Sequence, residues 1–375
     1  MHDSRRIVTS ITILMGSLLV ATLFIATKVW AQAAAQVAHQ PTRAEWRRSM
    51  LKTPTESGCF KASYPNTTWE EVACAPAAPV PYITARGTRP RTVGDGTDSL
   101  ATVTSGTISS SEGSFPAVSN VTSESEIDPA NNNPGSNNLG PNIFSLQLNT
   151  QDFTTTACSG GTSYCQGWVQ FIYSSHISDG VFIEYSLLYY TTSSTGCPSG
   201  WAAYETPINM QPYYTCFFNT SVASVPSQSF TNLRELTLTG SATANGNDEV
   251  ILSTNGTLYN LSYSDSALNL ASAWTVSEFN VFGDCCGYEA SFNTGATLIV
   301  STTVDNGTTN APSCASGGYT GEINSLSLVP PCCPYSGDAP GIAFMESSAT
   351  GMAPTCSYLE HPYSWLAPVT NLLLQ

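Results

Sequence analysis

The stretch that decides the fold is "CQGWVQFIY" at residues 165–173, with "VFIEYSLLYYTT" following at residues 181–192. In the first stretch, polar and apolar side chains alternate from Gln166 to Tyr173, as they do on a strand with one face against a core. Both stretches are rich in aromatic and β-branched residues, which favour strands over helices. They predict two neighbouring strands of an antiparallel sheet.

The same period-two alternation recurs from Ile143 to about residue 348, and turn residues such as Asn255-Gly256 separate the segments. In this region only "SALNLASAW" (266–274) is a candidate short helix. Dense strands with little helix predict an all-β fold, an antiparallel two-sheet sandwich or jelly roll of the concanavalin-like kind. We assign this β-sandwich domain to residues 143–375.

The N-terminus has the order of an export signal. Arg5 and Arg6 precede an uncharged run from Ile7 to Thr27, and small residues follow it. This order predicts a signal peptide over residues 1–33. The run is also long enough for a transmembrane helix, so a retained signal anchor stays open. Either alternative places the protein outside the cytoplasm, secreted or at the cell surface, with membrane contact only through this segment.

Twelve cysteines agree with export, because an even number in an oxidising compartment indicates disulfide bonds. Sequence spacing suggests three local pairs, and it joins Cys314 to Cys332 or Cys333. The cysteines assigned to disulfides are Cys59, Cys74, Cys158, Cys165, Cys197, Cys216, Cys314 and Cys332. We expect no metal site, since the chain has no C-x-x-C pair and few histidines. We also expect no cofactor.

Charge divides the chain unevenly. Residues 34–91 form a basic, propeptide-like region with a helix expected within 40–56 and a disulfide loop. A polar lead-in rich in Ser, Thr and Asn follows over 92–142, and 124–142 is expected to be a surface loop. After Arg91 the chain has 22 carboxylates and one basic residue, a net charge of −21. Such a surface repels nucleic acid, which we exclude as a partner, and it suits acidic surroundings.

Over roughly residues 158–303 the chain resembles the glutamic peptidases, which are secreted acid-acting β-sandwiches. The resemblance lies in a cysteine followed by Gln166 and Phe171, in "VFIEYSLLYY", and in "LRELTLTGSATANGNDEVILSTNGTLYNLS". It continues in "SAWTVSEF" (272–279) and "ASFNTGATLIVST" (290–302). It implies an active site in which a Glu acts as general base and then general acid, while a Gln amide holds the water and stabilises the oxyanion.

By that match Gln166 takes the position of the catalytic Gln. Trp168 and Gln170 share its strand face and are expected to bind substrate, unless the row is an ordinary solvent-facing one. The family's catalytic Glu position is occupied by Ala273. Strand alternation places Glu278 on the face opposite Ala273, so we expect a bulge to be needed to use it. Glu184 and Glu346, which lie within apolar strands, are the alternative catalytic carboxylates.

Other motifs point to no further chemistry. The chain has no G-x-S-x-G sequence for a nucleophile elbow, and His176 and His361 lie in no triad context. The stretches "NGND" (245–248) and "FGDCCG" (282–287) lack the ligand spacing of a calcium loop and are expected to be turns.

Three functions therefore stay open. The first is a binding or inactive relative of the glutamic peptidases, with a groove for an extended peptide or glycan. The second is an active acid endopeptidase that uses Gln166 with a relocated carboxylate, and the third is a structural cell-surface domain. Whether the protein is an enzyme is thus undecided by sequence. In each case we expect the basic region 36–91 to dock on the acidic domain as a latch, the alternative being a passive spacer.

Overall fold

A computed structural model describes residues 41–87, 92–129, 139–208 and 210–357. Nearly all of its regular structure is β, in antiparallel sheets that form a sandwich. The fold class expected from the sequence is therefore confirmed.

One α-helix, α1 (Arg43–Met50), lies within the 40–56 segment where the sequence predicts a helix. Thr42 caps it: the Thr42 hydroxyl accepts from Glu45 N, and the Glu45 carboxylate accepts from Thr42 N. This reciprocal pair satisfies two of the backbone donors that a helix start leaves free. Trp46 and Met50 are the buried residues of the helix, so it packs against the sandwich along one side.

Strands are numbered along the chain. The nine strands of sheet I are, in spatial order, β2 (Glu70–Val72), β1 (Gly58–Ser63), β15 (Thr257–Ser264), β14 (Asn247–Thr254), β13 (Thr237–Ala242), β5 (Ser110–Ser119), β18 (Thr297–Asp305), β22 (Gly341–Ser347) and β21 (Ser327–Tyr335).

The strands of sheet II are, in spatial order, β10 (Ala202–Glu205), β11 (Tyr214–Asn219), β9 (Gly180–Thr191), β8 (Gln166–Ser174), β7 (Ser145–Thr150), β16 (Val276–Phe282), β4 (Asp98–Thr102) and β19 (Ser313–Gly317), with β12 (Ala223–Ser224) paired to β9. A small sheet III contains β3 (Val93–Gly94), β20 (Ile323–Asn324), β17 (Glu289–Phe292) and β6 (Glu124–Ile127).

Single 3₁₀ turns complete the elements, at Thr156–Cys158, Phe230–Glu235, Asp265–Ala267 and Leu270–Ser272. The last two lie in or beside "SALNLASAW", so the predicted short helix is replaced there by two 3₁₀ turns.

The core lies between sheets I and II. Phe171 of β8 packs on Trp274 with ring centroids 5.5 Å apart, and Phe115 of sheet I packs on Phe279 of sheet II at 5.2 Å. At Gly240 a Cβ would come within 2.5 Å of the Phe171 ring, so the two sheets approach too closely there for a side chain. Large aromatic side chains from one sheet therefore fill space that glycine leaves on the other.

The sandwich begins earlier than residue 143. β4 lies between β16 and β19, and β5 lies between β13 and β18, so the segment 92–142 supplies interior strands of both sheets. Within 124–142, where we expected a surface loop, β6 buries Glu124 and Glu126. Residues 92–142 are polar in composition because Ser and Thr alternate with small apolar residues. They form strands because they pair with strands that are distant in the sequence.

The basic region also belongs to the sandwich. β1 pairs with β15 along its whole length, from Gly58↔Ser262 to Ser63↔Thr257. Arg47 of α1 makes an ion pair with Glu112 of β5. Residues 41–87 are therefore docked on the domain and are not a passive spacer.

The described cysteines form six disulfides. The three local pairs expected from spacing are present, namely Cys59–Cys74, Cys158–Cys165 and Cys197–Cys216, and Cys314 bonds Cys332. Two further bonds join Cys285 to Cys286 and Cys333 to Cys356.

Across the described ranges, no helix has the length and apolar character that crossing a bilayer requires. The predicted signal or anchor, residues 1–33, lies outside the described residues, as do Arg89, Arg91 and His361.

Candidate functional site

Four polar side chains form a row across the middle of sheet II. Glu278 on β16 lies opposite Asn149 on β7, Asn149 lies opposite Gln170 on β8, and Gln170 lies opposite Glu184 on β9. Directly opposed residues in antiparallel strands point to the same face, so all four belong to the face turned away from the core. We call Glu278, Asn149, Gln170 and Glu184 the polar row.

The alternation along β8 produces this face. Val169, Phe171 and Tyr173 enter the core, as the sequence predicts. The opposite face has Gln166, Trp168 and Gln170, which were expected to bind substrate or take part in catalysis. Trp168 and Gln170 are nevertheless fully buried, and the Trp168 indole donates to Thr150 O at 3.0 Å.

Gln166 lies apart from the polar row. It is the first residue of β8, half-buried and paired with Leu188 near the end of the strand. Ala273, the residue that takes the family's Glu position, ends a 3₁₀ turn before β16, and its carbonyl accepts from Gln151.

Glu278 lies on the face of Gln170, contrary to the sequence-based exclusion, and no bulge interrupts its pairing with β7. The sequence-based prediction counted strand alternation from Ala273 and therefore placed Glu278 on the opposite face. Ala273 precedes the strand, so strand alternation does not extend to it. Within β16 it is Phe279 and Ser277 that face sheet I, where Ser277 Oγ lies 2.7 Å from Ser111 Oγ.

The polar row is linked by amide hydrogen bonds. Asn149 Nδ2 donates to Glu278 Oε2 at 3.3 Å, and Gln170 Nε2 donates to Gln147 Oε1 at 3.2 Å. Tyr319 N donates to the same Glu278 Oε2 at 2.9 Å. Three side-chain oxygens of the row are buried and receive no hydrogen bond from any described residue: Asn149 Oδ1, Gln170 Oε1 and Glu278 Oε1. Three acceptors on neighbouring strands therefore suit a water or a substrate N–H that donates to them.

Burial controls the charge of the site. It raises the pKa of Glu278 to about 7, and it raises the pKa of Glu184 well above its ordinary value of 4.5. In all, burial raises the pKa of nine described carboxyl groups: Asp98, Glu124, Glu126, Glu184, Asp248, Glu278, Asp284, Glu322 and Glu346. In the described part of the chain, their hydrogen-bond donors are amides, hydroxyls and backbone N–H groups, so these carboxyls lack a compensating cation.

Glu346, the second carboxylate proposed from the sequence, belongs to sheet I. It lies on β22 and accepts from Asn280 Nδ2 at 3.1 Å and from Asn324 Nδ2 at 3.3 Å. Burial raises the pKa of Glu346 to about 8. Asn280 is the next residue on the face of Glu278, so Glu346 reaches the margin of the polar face without joining the row. Glu184 does join it.

A segment of the basic region lies over the row. We call residues 75–87, "APAAPVPYITARG", the strap. Tyr82 N donates to Glu184 Oε2 at 3.0 Å, and Ile83 N donates to Glu322 Oε1 at 3.1 Å. The space left between the strap, Trp168 and Glu184 is about 10 Å³, which is roughly the room of one water. The groove is therefore filled by this chain itself.

Residues 319–322 lie next to Glu278, and the strap is hydrogen-bonded to them. Gly321 N donates to Ile83 O at 2.7 Å, and Ala85 N donates to Tyr319 O at 2.9 Å. Because Tyr319 N also donates to Glu278, the strap, residues 319–322 and the polar row are connected through backbone hydrogen bonds. Opening the face over Glu278 requires residues 319–322 to move as well as the strap.

Two Asn/Asp-rich stretches, "NGND" and "FGDCCG", were expected to be turns. Among the described residues, no group of three or more His, Cys, Asp or Glu side chains is placed to hold a metal ion. "NGND" is a turn with Asn245 in the left-handed region, as expected. Asp284 of "FGDCCG" accepts from His176 N, Ile177 N and Ser174 Oγ, so it serves as a structural acceptor.

Sequence reasoning set Glu278 aside, treated Asp284 only as part of a turn, and missed Asn149. The signal for Asn149 was present, since "LQLNT" (146–150) alternates Leu with Gln and Asn in the same way as β8. No known protein-family model, curated protein or solved structure matches the chain.

Proposed function

We propose that this protein is an exported endopeptidase of the glutamic type, held latent by its own N-terminal region, with Glu278 and Gln170 as its catalytic pair. The observation that carries the proposal is the polar row, in which a buried carboxyl group and a glutamine amide flank Asn149 on three consecutive strands. Their Cα atoms are two strand spacings apart, roughly 10 Å, and both side chains are long enough to reach a water between them. Six disulfides fit export to an oxidising compartment.

The chemistry follows from the charges. The Glu278 carboxylate takes a proton from the water as the water oxygen bonds to the peptide carbonyl carbon, and the carbonyl oxygen becomes an oxyanion. The Gln170 Nε2–H that does not donate to Gln147 stabilises that oxyanion. Glu278 then gives the proton to the amide nitrogen as the C–N bond breaks.

Uncovering the site also sets its working pH. Burial is the main cause of the raised pKa of Glu278, so opening the cover lets water reach the carboxyl group and moves its pKa toward 4.5. The open enzyme then has an ionised base in mildly acidic solution, whereas the covered form does not.

Trypsin offers a selective way to remove the cover. Arg86, near the end of the strap, is exposed, and after Arg91 the chain has a single further trypsin site, Arg234. We expect brief trypsin treatment of an Arg234→Gln chain to cut the basic region and to release cleavage of denatured protein between pH 3 and 6. Glu278→Gln should then lower the rate by 10²-fold or more, and Gln170→Ala by about 10²–10³-fold.

Two controls separate the alternatives. Glu235→Gln changes an exposed carboxylate and should leave the rate unchanged. Glu346→Gln and Gln166→Ala test the residues proposed from the sequence, and a loss with these variants but not with Glu278→Gln would contradict the assignment. Absence of cleavage by the trimmed chain at every pH from 3 to 8 would leave a non-catalytic binding protein.

A glycan-binding role is the second candidate, and a different cleft favours it. Trp201, Phe218 and Tyr263 line an open cleft of about 300 Å³ together with Ser199 and Ser264. The Trp201 and Phe218 rings lie 5.9 Å apart, and Phe218 and Tyr263 lie 5.5 Å apart. Aromatic faces beside hydroxyl groups suit a sugar ring.

Retention on insoluble polysaccharides tests this role. We expect Trp201→Ala to abolish retention, while Tyr164→Ala, which changes a residue exposed elsewhere, should not. Equal retention of the wild type and Trp201→Ala would exclude this cleft.

A further inference from the structure

The strap is bound like a peptide ligand, mainly through its backbone, and the chain bends at Pro79. Asn219 Nδ2 donates to Ala78 O at 3.0 Å and to Val80 O at 2.9 Å. Both carbonyl oxygens therefore lie on the side of the strap that faces Asn219. Tyr82 N, two residues further, points to that side as well and meets Glu184. One side of the strap therefore faces β11 and β9 of sheet II.

Three prolines lie in the strap, and two of them, Pro79 and Pro81, flank Val80, whose carbonyl accepts from Asn219. As prolines, residues 79 and 81 have no backbone N–H that would need a partner. Proline also favours the extended conformation before binding, which lowers the entropy lost when the groove is filled. The groove thus accommodates a Pro-x-Pro segment without an unpaired donor.

Tyr82 and Ile83 are the buried residues of the strap, and the Tyr82 side chain ends in a polar contact. It is 1 % exposed, its ring packs against Phe182 with centroids 5.7 Å apart, and its hydroxyl donates to Asp284 Oδ1 at 2.8 Å. The other carboxylate oxygen of Asp284 accepts from His176 N, Ile177 N and Ser174 Oγ, so Asp284 is fixed in place. Among the hydrogen bonds of the described residues, Oδ1 of Asp284 accepts only from Tyr82. A phenylalanine in this pocket leaves that oxygen buried without a donor.

We propose that the groove over the polar row selects peptides with the pattern Pro-x-Pro-Tyr, and that Asp284 distinguishes tyrosine from phenylalanine. The inference rests on the proposed function in one respect, that this groove is where a peptide substrate binds. A site that hydrogen-bonds a ligand hydroxyl rejects the analogue without it far more strongly than an apolar pocket rejects a missing methyl group. We expect Asp284 to give at least tenfold discrimination.

Binding in trans tests the proposal with the full chain. The Tyr82→Ala chain leaves the pocket open, and the probes are fluorescent peptides Ala-Pro-Val-Pro-Tyr-Ile-Thr and the same sequence with Phe in place of Tyr. We expect the Tyr peptide to bind the Tyr82→Ala chain at least tenfold more tightly than the Phe peptide does, by fluorescence anisotropy at pH 5. The wild-type chain should bind either peptide weakly, because its own Tyr82 fills the pocket. Equal binding of the two peptides, or no binding to a Tyr82→Ala chain with a native CD spectrum, overturns the proposal.

A second measurement covers the case in which Tyr82→Ala does not fold. In the Tyr82→Phe chain, hydrogen exchange of the Tyr82 and Ile83 region should be at least tenfold faster than in the wild type. Tyr164→Phe is the matched control on an exposed tyrosine and should change nothing there. Unchanged strap protection in Tyr82→Phe would overturn the role of Asp284.

The two proposals can fail separately. Tyr-selective binding by a trimmed chain that cleaves no peptide would remove the catalytic proposal and keep the specificity. Cleavage with equal rates for Tyr and Phe peptides would keep the catalytic proposal and remove the specificity.

Discussion

Glu278 and Asn149 lie directly opposite one another on β16 and β7, and the Asn149 side-chain amide donates to Glu278 Oε2 at 3.3 Å. Both residues are fully buried. The amide favours the ionised carboxylate, while burial opposes ionisation and has the larger effect, so the pKa of Glu278 rises to about 7. The balance between these two effects governs both stability and activity at this site.

We predict that the protein is more stable at pH 5 than at pH 8. In the unfolded chain a Glu has a pKa near 4.5, whereas in the folded protein the pKa values of Glu278 and Glu346 are about 7 and 8. Between these values the folded state binds more protons than the unfolded state, so the free energy of unfolding falls as pH rises. Urea unfolding at pH 5, 6, 7 and 8 measures the free energy of unfolding. A free energy of unfolding that rises over this range would contradict the prediction.

Glu346→Gln should reduce that slope, because glutamine stays neutral at every pH. Glu235→Gln, at an exposed position, should leave the slope as in the wild type.

The docking of the strap should also weaken as pH rises from 5 to 8. Burial raises the pKa of Glu184 well above 4.5, while the N–H of Tyr82 in the strap lowers it. Because burial has the larger effect and the strap supplies part of it, we expect the docked strap to favour the protonated carboxyl group. Net charge alone predicts the opposite pH dependence. A basic region should dissociate from an acidic domain at low pH, because protonation removes the negative charge of the carboxylates. The ion pair Arg47–Glu112 is partly exposed and contributes little, so we expect the Glu184 effect to exceed it.

Hydrogen exchange of residues 80–85, corrected for intrinsic rates, measures this docking. Glu184→Gln should make strap protection independent of pH over this range. Protection that increases from pH 5 to 8 in the wild type would favour the charge-based latch.

Asn149→Ala should move the pH dependence of peptide cleavage upward. The Asn149 amide lowers the pKa of Glu278, so its removal makes the base ionise at higher pH. In the trimmed enzyme, kcat/KM against pH should shift its acidic limb upward, and Gln166→Ala should leave that limb in place. An unshifted limb in Asn149→Ala would exclude Glu278 as the base.

Gly240→Ala should destabilise the sandwich by about 1–3 kcal/mol. The added Cβ would lie 2.5 Å from the Phe171 ring, which is fully buried between the sheets and has no room to move. Gly87→Ala is the control, since a Cβ there meets no atom within 4 Å. The midpoint temperatures of thermal unfolding of the two variants measure this destabilisation. Equal midpoints would contradict close packing at Gly240.

The sequence allowed much of the secondary structure to be predicted. In β8 the spacing of Val169, Phe171 and Tyr173 is a local property that follows from strand geometry, and it identified the core face correctly. The capping residues of α1 and the close cysteine pairs are local as well. Short-range features of this kind depend on neighbours in the chain and are therefore visible in it.

The polar row depended on tertiary structure. Glu278 and Gln170 are over a hundred residues apart, and whether they share a face depends on strand order and register rather than on either sequence by itself. The strap was unpredictable for the same reason: its prolines suggest an extended linker, and only packing against Asn219, Glu184 and Asp284 places it in the groove. The sequence by itself determined the all-β character, many of the strands and the core face of β8, because these follow from local alternation. Long-range pairing and burial decided the strands of 92–142, the face of Glu278, and which carboxyl groups meet and how they titrate.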